Sequence, residues 1–171
     1  MTMFYSCSTY PRISAKQEGI NPVFEPYVES YRILIGEDSH EDRFENLNIN
    51  FSKLEGSVIG RCWWLANGGY EIEIDSTWWY LSMFNQHERE FVMYHELEHC
   101  IRYRLHTDRV RKIHNFTSFL DEIGYYIGFV EKKEYLKDGC PASLMHSTTL
   151  SDECRHKHYR YYMEEIIEWD N

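Results

Sequence analysis

The chain has no CxxC pair, no long apolar run, no internal repeat and little positive charge. Each absence closes a class of function. Eighteen Lys and Arg stand against 28 Asp and Glu, a formal net charge of -10. A surface that grips DNA or RNA phosphates needs a net basic face, so no nucleic-acid partner is expected. A membrane-spanning helix needs about 20 consecutive apolar residues, and no run approaches that length. Without a CxxC pair, a cysteine-built zinc site is not expected. The five cysteines, Cys7, Cys62, Cys100, Cys140 and Cys154, are odd in number and widely spaced, which does not read as a disulfide framework.

Residues Met1 to Cys7 carry no Lys or Arg and no long apolar core, so the chain as written has no signal peptide. The compartment stays open on that reading, cytoplasmic or virion-associated for the chain as written. Phe4-Tyr5-Ser6-Cys7 does resemble the end of a bacterial lipoprotein signal, and a trimmed start would make the chain exported or lipid-anchored.

What is present argues for one packed domain over residues 1–171. Hydrophobic residues make up 43% and aromatic residues 16%, which is too rich for disorder. Residues 1–20 show little periodicity and are expected to form an irregular arm. Phe24, Tyr27, Tyr31 and Leu34 recur at helical spacing, predicting a helix over about 25–36 that starts at Pro26. The acidic stretch 37–46 reads as a solvated loop, since it lacks the ligand pattern of an EF-hand. Strands are expected near 48–51, over 57–65 and over 70–75, with Ala66-Asn67-Gly68-Gly69 as a hairpin turn. Tyr70, Ile72 and Ile74 should share one face.

Four helices should follow. A short one covers 76–83. The next runs from 86 to 105, opened by Asn85 with Glu88 three residues on. A third is expected over 117–136 on the stripe Phe119, Ile123, Ile127 and Val130, and Gly139-Cys140-Pro141 ends it. The last begins near Ser151 and buries Tyr159, Tyr162, Met163, Ile166 and Trp169.

Residues 95–99 read His-Glu-Leu-Glu-His. Two histidines four apart on a helix lie on one face, one turn apart, so both imidazoles can reach one zinc ion. Glu96, beside the first of them, can hold and deprotonate a water bound to that ion. The bland alternative is an amphipathic helix with two ordinary histidines. A catalytic zinc also needs a third protein ligand and an open position. His106 is the first candidate, with His114 and Glu122 as alternatives.

His95-Glu96-Leu97-Glu98-His99-Cys100, then Arg104-Leu105-His106, then Pro141, Ser143 and Met145, together resemble the metzincin-type zinc peptidases. The nearest likeness is to a group of small bacterial and phage metallopeptidase-like proteins with HELGHC, RxH and PxSxM segments. The likeness covers roughly residues 60–168. It implies an α+β zincin domain with a small, mostly antiparallel or mixed sheet, an HExxH helix and a C-terminal helix. It implies zinc ligands at His95, His99 and His106, a general base at Glu96, and a Met-turn at Met145 beneath the metal. The substrate would be a peptide or protein, bound extended along an edge strand, for which 70–75 is the candidate.

The chain departs from that pattern in two ways. The third histidine lies seven residues after the second instead of six, with Arg102 in the place of the turn glycine. Glu98 also replaces the glycine of HELGHC. Glycine normally supplies the turn toward the third ligand, so the path to His106 needs another explanation.

Cys100 and Cys140 flank the two site segments, and either a disulfide between them or two free thiols fits. Cys7 reads as a stray cysteine or as a thiolate latch on the zinc. His146 reads as a surface residue or as a contact to substrate. Arg102, Arg104, Arg109, Arg111 and Lys112 read as a solvated basic face or a lure for acidic substrates. Two further functional classes stand beside a peptidase. One is a catalytically inactive zinc-binding interaction or virion-structural protein. The other is a zinc amide hydrolase acting on cell-wall peptide.

Overall fold

The computed structural model describes residues 4–7, 19–36, 39–83, 85–107, 109–113, 127–131 and 135–169. The fold is α+β. In its first half, strand β1 (Phe4–Cys7) is followed by helices α1 (Glu25–Ile35) and α2 (Glu41–Glu45) and then by strands β2 (Leu47–Ser52), β3 (Val58–Trp64) and β4 (Tyr70–Asp75). Then come α3 (Ser76–Leu81), α4 (Gln86–Ile101), strands β5 (Arg109–Ile113) and β6 (Ile127–Glu131), and helices α5 (Asp152–Lys157) and α6 (Tyr159–Glu168). No described helix is long and apolar enough to cross a membrane.

The main sheet has the order β1-β3-β4-β2. β3 and β4 form the expected antiparallel hairpin, while β2 runs parallel to β4 and β1 parallel to β3. Two expectations change here. Residues 70–75 are not an edge, because β4 lies between β3 and β2, and every one of its residues is buried. The N-terminal segment is not wholly irregular, because residues 4–7 pair along the outer edge of β3.

The alternation in β4 holds: Tyr70, Ile72 and Ile74 share a face and enter the core with Leu47, Ile49, Trp79, Phe91 and Leu97. Helix α1 begins with Pro in its first turn and ends at Gly36, whose φ of 97° suits glycine. The acidic stretch after it contains helix α2, not only loop. Asn85 caps α4 as expected, accepting from the Glu88 amide at 3.0 Å. That helix ends at Ile101, four residues short of the expected end.

Of the helix expected over 117–136, residues 127–131 form strand β6, antiparallel to β5, and the remainder lies outside the described residues. The C-terminal helix is broken at His158 into α5 and α6. Tyr162, Met163 and Ile166 are buried as expected, but Tyr159 and Trp169 are exposed.

Two disulfides tie these elements, and neither is Cys100–Cys140. Cys62 of β3 bonds Cys100 of α4, and Cys140 bonds Cys154 of α5. The first pairing follows from repeat lengths. Two strand residues rise about 6.6 Å and four helix residues about 6 Å. A helix lying along β3 therefore keeps step with it, matching Gly60 to Glu96 and Cys62 to Cys100. Closing a loop across 38 residues of sequence should contribute about 4 kcal/mol by restricting the unfolded chain. Replacing Cys62 and Cys100 together by Ser should lower the melting temperature of the oxidised protein by roughly 8–15 °C, read by calorimetry. A change under about 3 °C would mean that the cross-link adds little to the packing.

Candidate metal centre

Helix α4 carries His95, Glu96 and His99, all fully buried. The two histidines face the same way because they are four residues apart. Beyond the helix the chain must reverse to bring His106 back. Arg102 and Arg104 both donate their amides to the Glu98 carbonyl, at 3.2 and 3.1 Å, closing a tight turn. Tyr103 lies between them in the left-handed region, with φ 58°. It performs the turn that the resemblance assigns to a glycine one residue earlier. A tyrosine in that region is strained, and its surroundings hold it there. Its ring meets Trp64 edge-on at 5.2 Å, lies 4.2 Å from the Arg43 guanidinium, and its hydroxyl bonds that of Tyr70.

The turn delivers His106 to the other two rings. The three Nε2 atoms stand 3.0 Å apart for His95 and His99, 3.1 Å for His99 and His106, and 3.2 Å for His95 and His106. His95 Nδ1 donates to the Leu144 carbonyl at 2.8 Å, and His99 Nδ1 donates to the Arg104 carbonyl at 2.6 Å. A neutral imidazole has one N–H, so those two bonds leave the Nε2 of His95 and of His99 as bare lone pairs. Burial and the neighbouring imidazoles push the His95 pKa well below its usual value, and burial lowers that of His99 to about 4. These two rings are therefore neutral at pH 7.

Converging lone pairs repel unless a cation joins them. Four-coordinate zinc with Zn–N bonds of 2.0–2.1 Å sets its ligand nitrogens about 3.3 Å apart. The spacing fits such an ion, and His95, His99 and His106 could hold a metal. His114 and Glu122, the alternative third ligands, lie outside the described residues.

Glu96 lies on the β3 side. A Cβ on Gly60 would come within 2.5 Å of Glu96 Oε1, so glycine is what leaves room for the carboxylate. Among the described residues neither Glu96 oxygen accepts a hydrogen bond of good geometry, though the Cys62 amide acts on the carboxylate. Burial raises its pKa well above the carboxylate range, against the lowering influence of the Arg61 guanidinium and the Cys62 amide. Replacing Gly60 by Ala should shift Glu96 while leaving the three histidines in place. The expected result is unchanged metal content with turnover lowered about tenfold, since a sub-ångström misplacement of a reacting group is enough for that.

Beneath the histidines lies an ion network that the sequence reading did not foresee. Glu98 is fully buried and accepts from the Tyr31 hydroxyl at 2.6 Å, Arg102 at 3.1 Å and Arg104 at 2.9 Å. Arg104 also pairs with Glu165 of α6 and lies over the Trp169 ring. Glu165 in turn accepts from Ser143 Oγ at 2.5 Å and from the Leu144 amide at 2.8 Å. The RxH and PxSxM segments are thus joined through Arg104, Glu165 and Ser143. The only forewarning was that these segments recur in the likeness.

Met145 is fully buried beside Leu144, and its carbonyl accepts from Thr107, the residue after His106, at 3.0 Å. Arg102 and Arg104 are buried partners of Glu98 and not a solvated face, and the side chains of Arg109, Arg111 and Lys112 lie outside the description. His146 is buried, 2% exposed, with Nδ1 facing Thr148, so it is not a surface residue. The Cys7 side chain is likewise outside the description. No protein family, curated protein or solved structure matches the chain, and the site is read from its own geometry.

Proposed function

We propose that the chain is a zinc-dependent metallopeptidase of zincin architecture, with His95, His99 and His106 as ligands, Glu96 as general base and Met145 as support beneath the site. The observation that carries this reading is the meeting of three buried Nε2 atoms at 3.0–3.2 Å, on a helix that also buries the carboxylate of Glu96, next in sequence to His95. A merely structural histidine cluster gives no reason for that carboxylate.

When bound, zinc supplies a Lewis acid that acidifies water and polarises a carbonyl. The chain supplies the rest. Carbonyls of Leu144 and Arg104 fix the tautomer and angle of two rings. A Glu96 oxygen takes the proton of the attacking water and returns it to the departing amine nitrogen. Among the described strands the sheet ends at β1 and β2, and an extended peptide would pair along the free edge of β1, the neighbour of the strand against Glu96.

The test is zinc content and hydrolysis of a mixed peptide pool by the full chain. One zinc per chain is expected, with cleavage lost to a chelator and restored by added zinc. In His106→Ala the affinity should fall. Binding energies of about 10–16 kcal/mol for four-ligand zinc imply roughly 3 kcal/mol per ligand, or about 10²–10³-fold. Unchanged affinity would remove His106 from the ligand set. Zinc without any cleavage would favour a binding protein instead.

A further inference from the structure

A second group of metal-ligating side chains lies apart from the three histidines, on the loop that carries Ser143 and Met145. Ligand atoms of Asp138, Cys140 and His158 all lie within 4.8 Å of one another. Asp138 Oδ2 is 2.7 Å from His158 Nε2, and the Asp138 carboxylate also accepts from the Cys140 amide at 3.3 Å. Gly139, with φ 84°, makes the tight turn that folds Asp138 back over Cys140. From the other side, Cys154 and His158 are four residues apart at the end of α5, and so share a helix face. The Cys140–Cys154 bond joins the two halves.

We propose that reduction of the Cys140–Cys154 disulfide opens a zinc site in which Asp138, Cys140, Cys154 and His158 hold one ion.

A disulfide sulfur is a poor zinc ligand, whereas a thiolate is a strong one. The step balances with a dithiol as reductant. Two electrons and two protons pass from the dithiol to the Cys140–Cys154 bond. The dithiol closes its own disulfide, and Cys140 and Cys154 become thiols. Zinc then displaces both thiol protons to solvent. Two sulfurs, one imidazole and one carboxylate make a closed four-ligand set of the structural kind, with no position left for substrate. Lys157 Nζ, 2.6 Å from Asp138 Oδ2, must turn away, and at half exposure it can do so into water.

The consequence is that residues 138–145 stay fastened to α5 in either redox state, by a covalent bond when oxidised and by coordination when reduced. That loop supplies the Leu144 carbonyl which orients His95. The inference does not depend on the peptidase reading.

The experiment uses the full chain with cobalt as probe, in buffer with or without a phosphine reductant. Reduced wild type should bind one more cobalt than oxidised wild type and should gain thiolate-to-cobalt charge-transfer absorption. His158→Ala and the double variant Cys140→Ser with Cys154→Ser should each lose that absorption and that ion, while binding at the three histidines persists. Three results would overturn the proposal: equal stoichiometry in both redox states, absorption surviving in the double variant, or a reduced chain that stays unfolded by circular dichroism with metal present. If the three-histidine site binds nothing, the oxidised chain is metal-free and the reduced chain still binds one thiolate-ligated ion.

Discussion

Replacing Glu96 by Gln is expected to lower peptide turnover about 10³-fold while the chain keeps its zinc. The substitution preserves shape in the space that Gly60 leaves open, so packing against β3 is retained. It adds no atoms to the side chain and leaves the three histidines unsubstituted. What it removes is a basic oxygen, because an amide neither accepts the proton of water nor hands one on. The wild-type carboxylate is buried and accepts no hydrogen bond of good geometry among the described residues, and a Gln carbonyl can still face the Cys62 amide. Stability should stay within about 1 kcal/mol of wild type or rise slightly, since a buried ionisable group becomes neutral. Peptide-pool turnover by mass spectrometry, elemental zinc analysis and a thermal melt on one preparation separate these effects. Turnover within tenfold of wild type would rule out Glu96 as the base. Loss of zinc together with turnover would make it part of the metal's environment instead.

The parts of this site legible in sequence are those set by one helix. His95, Glu96 and His99 follow from a spacing of four on a turn of 3.6 residues, and Asn85 announced where that helix begins. His106 could be named only as one candidate, because its approach depends on a turn whose residue did not advertise itself. Tyr103 takes a left-handed backbone through contacts with Trp64, Tyr70 and Arg43, which are distant in sequence. Local propensity argues against tyrosine there, and tertiary packing outweighs it.

The disulfide partners were illegible for a related reason: spacing alone does not fix connectivity. The Cys62–Cys100 match appears only once α4 is known to run in step with β3. In residues 123–131, Ile123, Ile127 and Val130 fit a helical stripe, but Ile127 and Phe129 equally fit a strand's alternation. Pairing with β5 resolved 127–131 as strand. Alternation in residues 70–75 predicts a strand and its inward face but carries no information on which strands flank it. The polar set Glu71, Glu73 and Asp75 is buried as well, and β4 is paired on both sides, by β3 and β2.

Glu98 carries the other large effect, this time on stability. Its carboxylate accepts from Tyr31, Arg102 and Arg104 in a fully buried setting. Replacing it by Gln keeps the volume but removes the charge that compensates two buried guanidinium groups. Breaking a buried ion pair from one side costs about 3–5 kcal/mol, which for a chain of 171 residues is a fall in melting temperature of roughly 6–20 °C. The loss should reach the metal centre too. Arg104 offers its carbonyl to His99 Nδ1, so loosening that arginine loosens the ring, and zinc affinity should fall about 10–100-fold. A double-mutant cycle isolates the charge. Arg102 and Arg104 both donate to Glu98, and Arg104 also pairs with Glu165. Adding Arg102→Met to Glu98→Gln should therefore recover part of the stability lost, with a coupling of about 1–3 kcal/mol. Strict additivity in urea melts would mean that Glu98 acts through packing and its bond to Tyr31, and that the two arginines are solvated in solution.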